Sequence, residues 1–288
     1  MEMLLVDKPA GITSHDVVAV VRRSLRVRKA GHAGTLDPFA TGLLVLGIGR
    51  ATRLLEYLAG LDKEYLATAR LGVATDSQDP EGSVTAEDDC WRSLDTDRIR
   101  TAAAAMVGRL AQSPPVYSAV KVGGVPAHRR VRRGEAVELP AREVTVHALE
   151  VLAVDLPEVR FRAACSSGTY VRSLAVELGG RLGTGCHLTA LRRTRVGGFD
   201  VRDAAPLEAV RGGEVPARSR VDAVPALAHL PRVVVEPGEA AMLATGKRVP
   251  KGAPDCGVAV FALPGDRLVA VGAVRDGVLE PRKVFHRA

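Results

Sequence analysis

The stretch Gly31-His32-Ala33-Gly34-Thr35-Leu36-Asp37-Pro38-Phe39-Ala40-Thr41-Gly42 restricts this chain more than any other segment. Three glycines and a proline suit neither a helix nor an ordinary strand. Pro38 pushes Asp37 toward extended geometry, so its carboxylate is presented from a stiff loop. The apolar run Leu43-Leu44-Val45-Leu46 follows and reads as a buried strand. An acid held at the mouth of a core element is what chemistry at a single carboxylate requires.

The 288 residues allow one large domain or two, and a 47% hydrophobic share with 25% charged residues excludes wholesale disorder. The net charge of +7, carried mostly by arginine, points to a polyanionic partner. No basic-then-apolar leader and no run of membrane-spanning length is present. Cys90, Cys165, Cys186 and Cys256 lie far apart without a Cys-x-x-Cys pair, which argues against a zinc site or a disulfide framework. A soluble, cytoplasmic protein without a metal is expected.

Met3 to Val6 reads as a strand, and Thr13-Ser14-His15-Asp16 as the capping box of a helix running to about Leu25 and burying Val17, Val20 and Val21. Arg22, Arg23, Arg26, Arg28 and Lys29 cluster at its end. They are either cations favoured by a helix C-terminus or a phosphate-contacting edge. A helix capped by Thr52 through Ala59, a Tyr65–Leu71 strand and an Arg98–Leu110 helix follow. Asp76, Asp79 and Glu81 lack calcium-loop spacing and read as a solvated turn. Residues 114–146 look like an inserted arm, with a hairpin turn at Gly123-Gly124 and a basic cluster of His128, Arg129, Arg130, Arg132 and Arg133. Val159 to Ala164 is strand-like and leads to Gly168-Thr169-Tyr170-Val171-Arg172 and a helix through Leu178. A second arginine cluster, Arg192, Arg193 and Arg195, precedes Gly197-Gly198. Residues 203–231 have little periodicity and read as a linker, and 232–288 as a small β-rich module. No internal repeat is present.

Five segments in this order carry a resemblance. They are Asp7-Lys8-Pro9-Ala10-Gly11-Ile12-Thr13-Ser14, the Gly31–Gly42 loop, Lys63-Glu64-Tyr65 with Leu71-Gly72-Val73-Ala74-Thr75-Asp76, Gly168-Thr169-Tyr170-Val171-Arg172-Ser173-Leu174, and the run from Leu188 to Gly197. Over nearly its whole length the chain resembles the bacterial tRNA pseudouridine-55 synthases, the TruB family. The resemblance implies an α+β fold: a mixed, mainly antiparallel sheet flanked by helices, with an inserted basic arm. It implies a catalytic domain over 1–231 and a PUA-like RNA-binding domain over 232–288. By motif position Asp37 is the catalytic aspartate, Tyr65 the tyrosine stacked on the target base, and Arg172 the arginine paired with the aspartate. Leu191 corresponds to an apolar pocket residue and His32 to the histidine that helps evert the nucleotide. Lys63 and Tyr170, from the same motifs, and Arg129, Arg130 and Arg193, from the basic clusters, complete the expected substrate contacts. His128 stands where relatives commonly have tyrosine, and Ser166-Ser167 replaces a commonly more varied or basic pair.

The implied reaction breaks the N1–C1′ bond of uridine, turns the base, joins C5 to C1′ and removes the C5 proton. Nothing is oxidised or gained, so no cofactor is required. Positive charge develops at C1′, which an ionised Asp37 can stabilise or attack. An adjacent Arg172 offsets the desolvation of that carboxylate. A sugar adduct, a base adduct and a glycal route all remain open, and the resemblance favours the glycal. Tyr65 offers a flat face for the base, and its hydroxyl could assist loss of the C5 proton. The target base must be flipped out of a folded RNA arm, and the arginine clusters would grip phosphates of the tRNA T-arm. A monomer is expected. Two rivals are a non-catalytic RNA-binding or tRNA-folding factor, for which arm and terminal module would suffice, and a nucleoside hydrolase, which would need more acids and no arm.

Overall fold

The computed structural model describes residues 1–118, 120–127, 130, 133–135, 137 and 139–285. His128, Arg129 and Arg132 of the expected arm lie outside the described residues. The chain opens with β1 (Glu2–Lys8) and α1 (Ser14–Ser24). The capping box is present: Asp16 N donates to Thr13 Oγ1 (3.1 Å) and Thr13 N donates to Asp16 Oδ2 (2.9 Å). The helix buries Val17, Val18 and Val21. Then come β2 (Ala30–His32), β3 (Thr41–Ile48), α2 (Leu55–Ala59) and β4 (Lys63–Leu71). Thr52 does not cap a helix. Its hydroxyl donates to the Gly49 carbonyl inside a 3₁₀ turn. A ribbon of β5 (Val73–Thr75) and β6 (Val84–Glu87) and helix α3 (Thr96–Ala104) lead to β7 (Gly108–Gln112). The expected Arg98–Leu110 helix is shorter because Gly108, at φ +115, turns the chain into that strand.

The arm contains a hairpin of β8 (Lys121–Val122) and β9 (Val125–Pro126) around Gly123-Gly124. Its expected end is displaced: β10 (Arg142–Asp155) already pairs with β7 from Arg142. After β11 (Glu158–Cys165) come α4 (Val171–Leu182) and β12 (Cys186–Val196). The central path runs β1–β3–β12–β4–β11–β10–β7, antiparallel except for the β3–β12 pair. That pair brings Gly42 against Arg193. A Cβ on Gly42 would lie 2.3 Å from the Arg193 carbonyl oxygen, and φ is +104, so only glycine fits.

Residues 203–231 are not a free linker. After β13 (Phe199–Asp200), β14 (Ala205–Pro206) pairs with β1 in parallel, and β15 (Arg220–Asp222) pairs with it antiparallel. These strands are two or three residues long, too short to show a period of two in sequence. The C-terminal unit is a five-stranded sheet in the order β16 (Arg232–Val234), β18 (Cys256–Leu263), β19 (Arg267–Arg275), β20 (Val278–Val284) and β17 (Val249–Pro250). A helix, Pro237–Ala244, packs on it.

This unit is fused to the larger one. Alternate residues of β1 and β3 face opposite ways. Leu4, Val6, Leu44 and Leu46 pack on α1, whereas Met3, Leu5, Leu43 and Val45 share a core with Val260, Ala262, Leu268, Val271 and Phe285. Burial on both faces explains why these strands read as unbroken apolar runs. Arg53 stacks on the Phe285 ring at 4.8 Å and donates to the Val284 carbonyl at 2.9 Å. On the other half of the sheet, α3 and α4 cover β4, β11 and β12 through Ile99, Leu174, Leu178 and Phe161.

Candidate active site

The Asp37 loop is braced from three sides. Asp37, Pro38, Phe39 and Ala40 form a turn in which Ala40 N donates to the Asp37 carbonyl (3.1 Å), with proline at its favoured second position. Lys8, wholly buried, donates to the carbonyls of Pro9, Ile12 and Pro38 at 2.7–3.0 Å. Its burial lowers its pKa to about 8. The Ser14 hydroxyl and the Leu36 backbone exchange two hydrogen bonds, at 2.8 and 3.1 Å. From below, Arg193 donates to the carbonyls of Leu43, Thr35 and Gly34 at 2.8–3.3 Å. The loop's rigidity, inferred above from Pro38, is thus enforced by two buried cations.

Arg172, in the first turn of α4, is the hub. Its Nη2 donates to Asp37 Oδ1 at 3.2 Å, and its Nε lies 2.9 Å from Asp37 Oδ2 with the N–H turned off the oxygen, an ion contact without a hydrogen bond. Nη1 donates to Asp79 Oδ2 (3.1 Å) and the Ser77 carbonyl (2.7 Å), and Nη2 also to the Tyr117 carbonyl (3.0 Å). Both edges of the guanidinium are occupied, and its side chain is 3% exposed. The start of α4 is in turn fixed by Gln112, whose side-chain amide exchanges hydrogen bonds of 2.7 and 3.1 Å with the Tyr170 backbone.

Asp79 is the residue that sequence reasoning missed. The solvated turn expected there holds for Asp76 and Glu81, which are exposed, but not for Asp79: its side chain is 5% exposed and is held by the Ser77 hydroxyl (2.5 Å) and Glu81 N (3.1 Å). One signal was available. A buried arginine presents five donors, more than a single carboxylate can satisfy.

The Asp37 carboxylate sits deep in the cleft yet leaves 31% of its side chain open to a cavity. Burial pushes its pKa above the ordinary carboxylate value. The Arg172 charge works against that shift, and the Asp79 charge adds to it. Arg172 therefore offsets the desolvation only in part. If the ionised form reacts, activity is lost as pH falls through this raised pKa. The acid limb of kcat/KM, which reports the free enzyme, is then expected above the ordinary aspartate range of about 3.9. A pH–rate profile on tRNA checks this.

Two cavities meet at Asp37 and Arg172. One, of about 270 Å³, is walled by Tyr65, Leu191, Val171, Leu36 and Lys63, with Tyr170 and Arg193 also in its lining. The other, of about 490 Å³, is acidic, lined by Asp76, Asp79 and Glu81. The first is a slot between an aromatic ring and aliphatic side chains with the carboxylate at its edge. It suits a flat heterocycle whose sugar faces the acid. Burial raises the Tyr65 phenol pKa, so at neutral pH it is a neutral hydroxyl and a stacking wall.

The remaining expected contacts divide. Lys63 lines the first cavity, but its ammonium donates to the Ala59 and Leu61 carbonyls (2.7 and 2.5 Å), and burial lowers its pKa to about 8. Tyr170 lines it too, its ring under the Arg142 guanidinium at 5.0 Å. Arg193 is corrected from a phosphate contact to a buried brace. Its neighbour Arg192 faces away and pairs with Asp7 at 2.6 Å, and Arg195 lies 3.6 Å from Asp200. The second arginine cluster is thus internally engaged. In the arm Arg130 lies 3.5 Å from Glu135, and Arg129 falls outside the described residues. His32 ends β2 and lines neither cavity. Burial lowers its pKa. Among the described residues no group of His, Cys, Asp and Glu side chains could hold a metal ion.

Known proteins resemble this chain over most of its length. Residues 22–171 match the family model described as TruB family pseudouridylate synthase, N terminal domain. Residues 172–242 match the tRNA pseudouridylate synthase B C-terminal domain. The chain is 49% identical over 271 residues to tRNA pseudouridine synthase B of Leifsonia xyli subsp. xyli, covering 89% of this chain and 88% of the relative. It is 47% identical over 291 residues to that of Thermobifida fusca, covering 98% of each. Among solved structures it resembles a chain of the archaeal box H/ACA sRNP Nop10–Cbf5 complex. The TM-score is 0.76 at 27% identity, covering 99% of this chain and 86% of that one.

Proposed function

The chain belongs to the TruB family of pseudouridylate synthases, and on that footing we propose how its site works. The protein isomerises uridine to pseudouridine in tRNA. The nucleotide we assign is uridine 55 of the T-arm, acted on by a cytoplasmic monomer. Among the described residues no helix is long and apolar enough to cross a membrane.

One observation carries the catalytic assignment: the Asp37 carboxylate, coupled to Arg172, stands at the edge of the slot formed by Tyr65 and Leu191. The everted uracil stacks on Tyr65, and C1′ meets the carboxylate. Asp37 meets the positive charge that grows at C1′ as the N1–C1′ bond breaks. The freed base turns within the slot, C5 bonds to C1′, and the C5 proton leaves, so atoms balance without any added reagent. The walls of the slot, Tyr65 on one side and Leu191 and Val171 among its aliphatic lining, hold the detached base beside C1′ while it turns, which separates isomerisation from hydrolysis. His32, at the end of the strand leading into the loop, is assigned to the gap left in the RNA stack. Its lowered pKa keeps the ring neutral for stacking.

The reading is tested with tRNA carrying C5-tritiated uridine. Tritium release should accompany pseudouridine at position 55 alone, and tRNA from a strain lacking the protein should have uridine there. Pseudouridine at another position, or free uracil as product, would overturn it.

A further inference from the structure

The first basic cluster gathers five exposed cations in eight positions. Several arginines elsewhere are answered by carboxylates: Arg162 lies between Glu64 and Glu150, Arg192 pairs with Asp7, and Arg202 with Asp200. Arg22, Arg23, Arg26, Arg28 and Lys29 are all exposed, and their side chains make no hydrogen bond or ion pair among the described residues. The acid of that helix, Asp16, is committed to the capping box at the opposite end. Arg22 and Arg23 lie in the last turn of α1, where the helix dipole favours cations. That account does not reach Arg26, Arg28 or Lys29, which lie beyond the helix.

Arg26 adds a second observation. α1 ends in a Schellman closure: Val27 N donates to the Arg22 carbonyl (3.1 Å) and Arg26 N to the Arg23 carbonyl (3.3 Å). Arg26 occupies the left-handed position of that motif, with φ +52, where glycine is the favoured residue. The chain keeps a long cation at a site whose backbone prefers no side chain. The helix also has a fixed relation to the catalytic cleft. Thr13 lines the acidic cavity, and the Ser14 hydroxyl bonds the Leu36 backbone of the catalytic loop. The cluster lies at the other end of α1, about 16 Å along.

We infer that Arg22, Arg23, Arg26, Arg28 and Lys29 form a second docking surface for the substrate RNA, holding backbone phosphates of the stem next to the loop whose nucleotide enters the cavity. This rests on the function proposed above. Unpaired cations with no counter-charge are what a phosphate backbone neutralises, with release of its counterions. The acidic cavity beside Asp37 repels phosphates, so attraction must be supplied outside the reaction centre. A straight helix sets the spacing between the two, and the surface recognises the stem by shape and charge without reading bases.

The test compares native protein with R22Q/R23Q/R26Q/R28Q, with R26G, and with the control R181Q, whose arginine is paired with Glu177. Dissociation constants are measured at several salt concentrations for a T-arm hairpin with its full stem and for one with the stem shortened. The fourfold variant should bind the full hairpin at least about tenfold more weakly, and its log–log salt slope should fall by about two or more. Its single-turnover rate at saturating enzyme should be unchanged. R26G should melt about 2 °C higher than native protein while binding RNA more weakly. Opposite signs in one variant exclude a merely structural role. R181Q should match native protein throughout. A fourfold variant with native affinity and slope would overturn the inference while leaving pseudouridine formation intact, so the proposed function would survive. A loss that persists with the shortened stem would overturn the assignment to the stem. Absence of pseudouridine formation by native protein would instead defeat the function on which the inference rests.

Discussion

Asp37→Asn should bind tRNA within about threefold of native protein and release tritium from C5-labelled uridine at least about a thousandfold more slowly. The size of the loss follows from what is removed. Asparagine keeps the shape and one oxygen within reach of Arg172, but it carries no charge to meet a developing cation and is a poor nucleophile. Each mechanistic branch, whether adduct or glycal, needs the ionised oxygen. The fold should not suffer. Native Arg172 stands between two carboxylates, Asp37 and Asp79, so the substitution leaves one cation facing one anion. Burial also makes ionisation of Asp37 unfavourable, and asparagine removes that cost. The variant should therefore melt at or above the native temperature, the trade of stability against activity seen where a charge is held for chemistry. Equal release from both proteins would remove Asp37 from the reaction. Weakened binding in step with the lost rate would make it a docking residue.

Asp37, Tyr65 and Arg172 were legible because each lies in a motif whose neighbours fix its local geometry. Pro38 stiffens the loop, and Gly42 admits the chain beside β12. Asp79 was not legible as a partner of Arg172. The two are 93 positions apart, and only tertiary packing turns a polar loop into a buried anchor. The arginines of β12 do not share one surface, for a different reason. In a strand, successive side chains point to opposite faces, so Arg192 and Arg193 could never form one surface. Arg193 turns inward to brace the loop, and Arg192 turns outward to Asp7. Residues 203–231 looked like a linker because their strands and helices are shorter than any period that sequence can reveal. The C-terminal unit read as a separate module, yet its inner face completes the core behind β1 and β3. The unbroken apolar runs of those strands predict burial on both faces without saying what covers them.

Arg172→Met is expected to be as damaging to turnover as Asp37→Asn, and for the opposite electrostatic reason. Methionine leaves Asp37 and Asp79 side by side with no cation between them, and it leaves the carbonyls of Ser77 and Tyr117 without their donor. Like charges and burial then act together, so the Asp37 pKa rises further and the carboxylate is protonated where it must be charged. The acid limb of kcat/KM should move to higher pH. Removing one member of a buried ion pair costs about 3–5 kcal/mol, so the variant should also unfold at lower urea. Adding Asp79→Asn removes one of the stranded charges and should recover part of that stability, but not the rate. Arg172→Lys separates the two effects in another way. An ammonium restores the charge but cannot bridge Asp37, Asp79 and both carbonyls with a planar fork, so the fold recovers more than the turnover does. RNA affinity should stay within a few fold in every case, because the Arg172 side chain is 3% exposed and cannot reach a phosphate. Should affinity fall in parallel with turnover in the stable double variant, Arg172 would be gripping the RNA, and the charge on Asp37 would need another guardian.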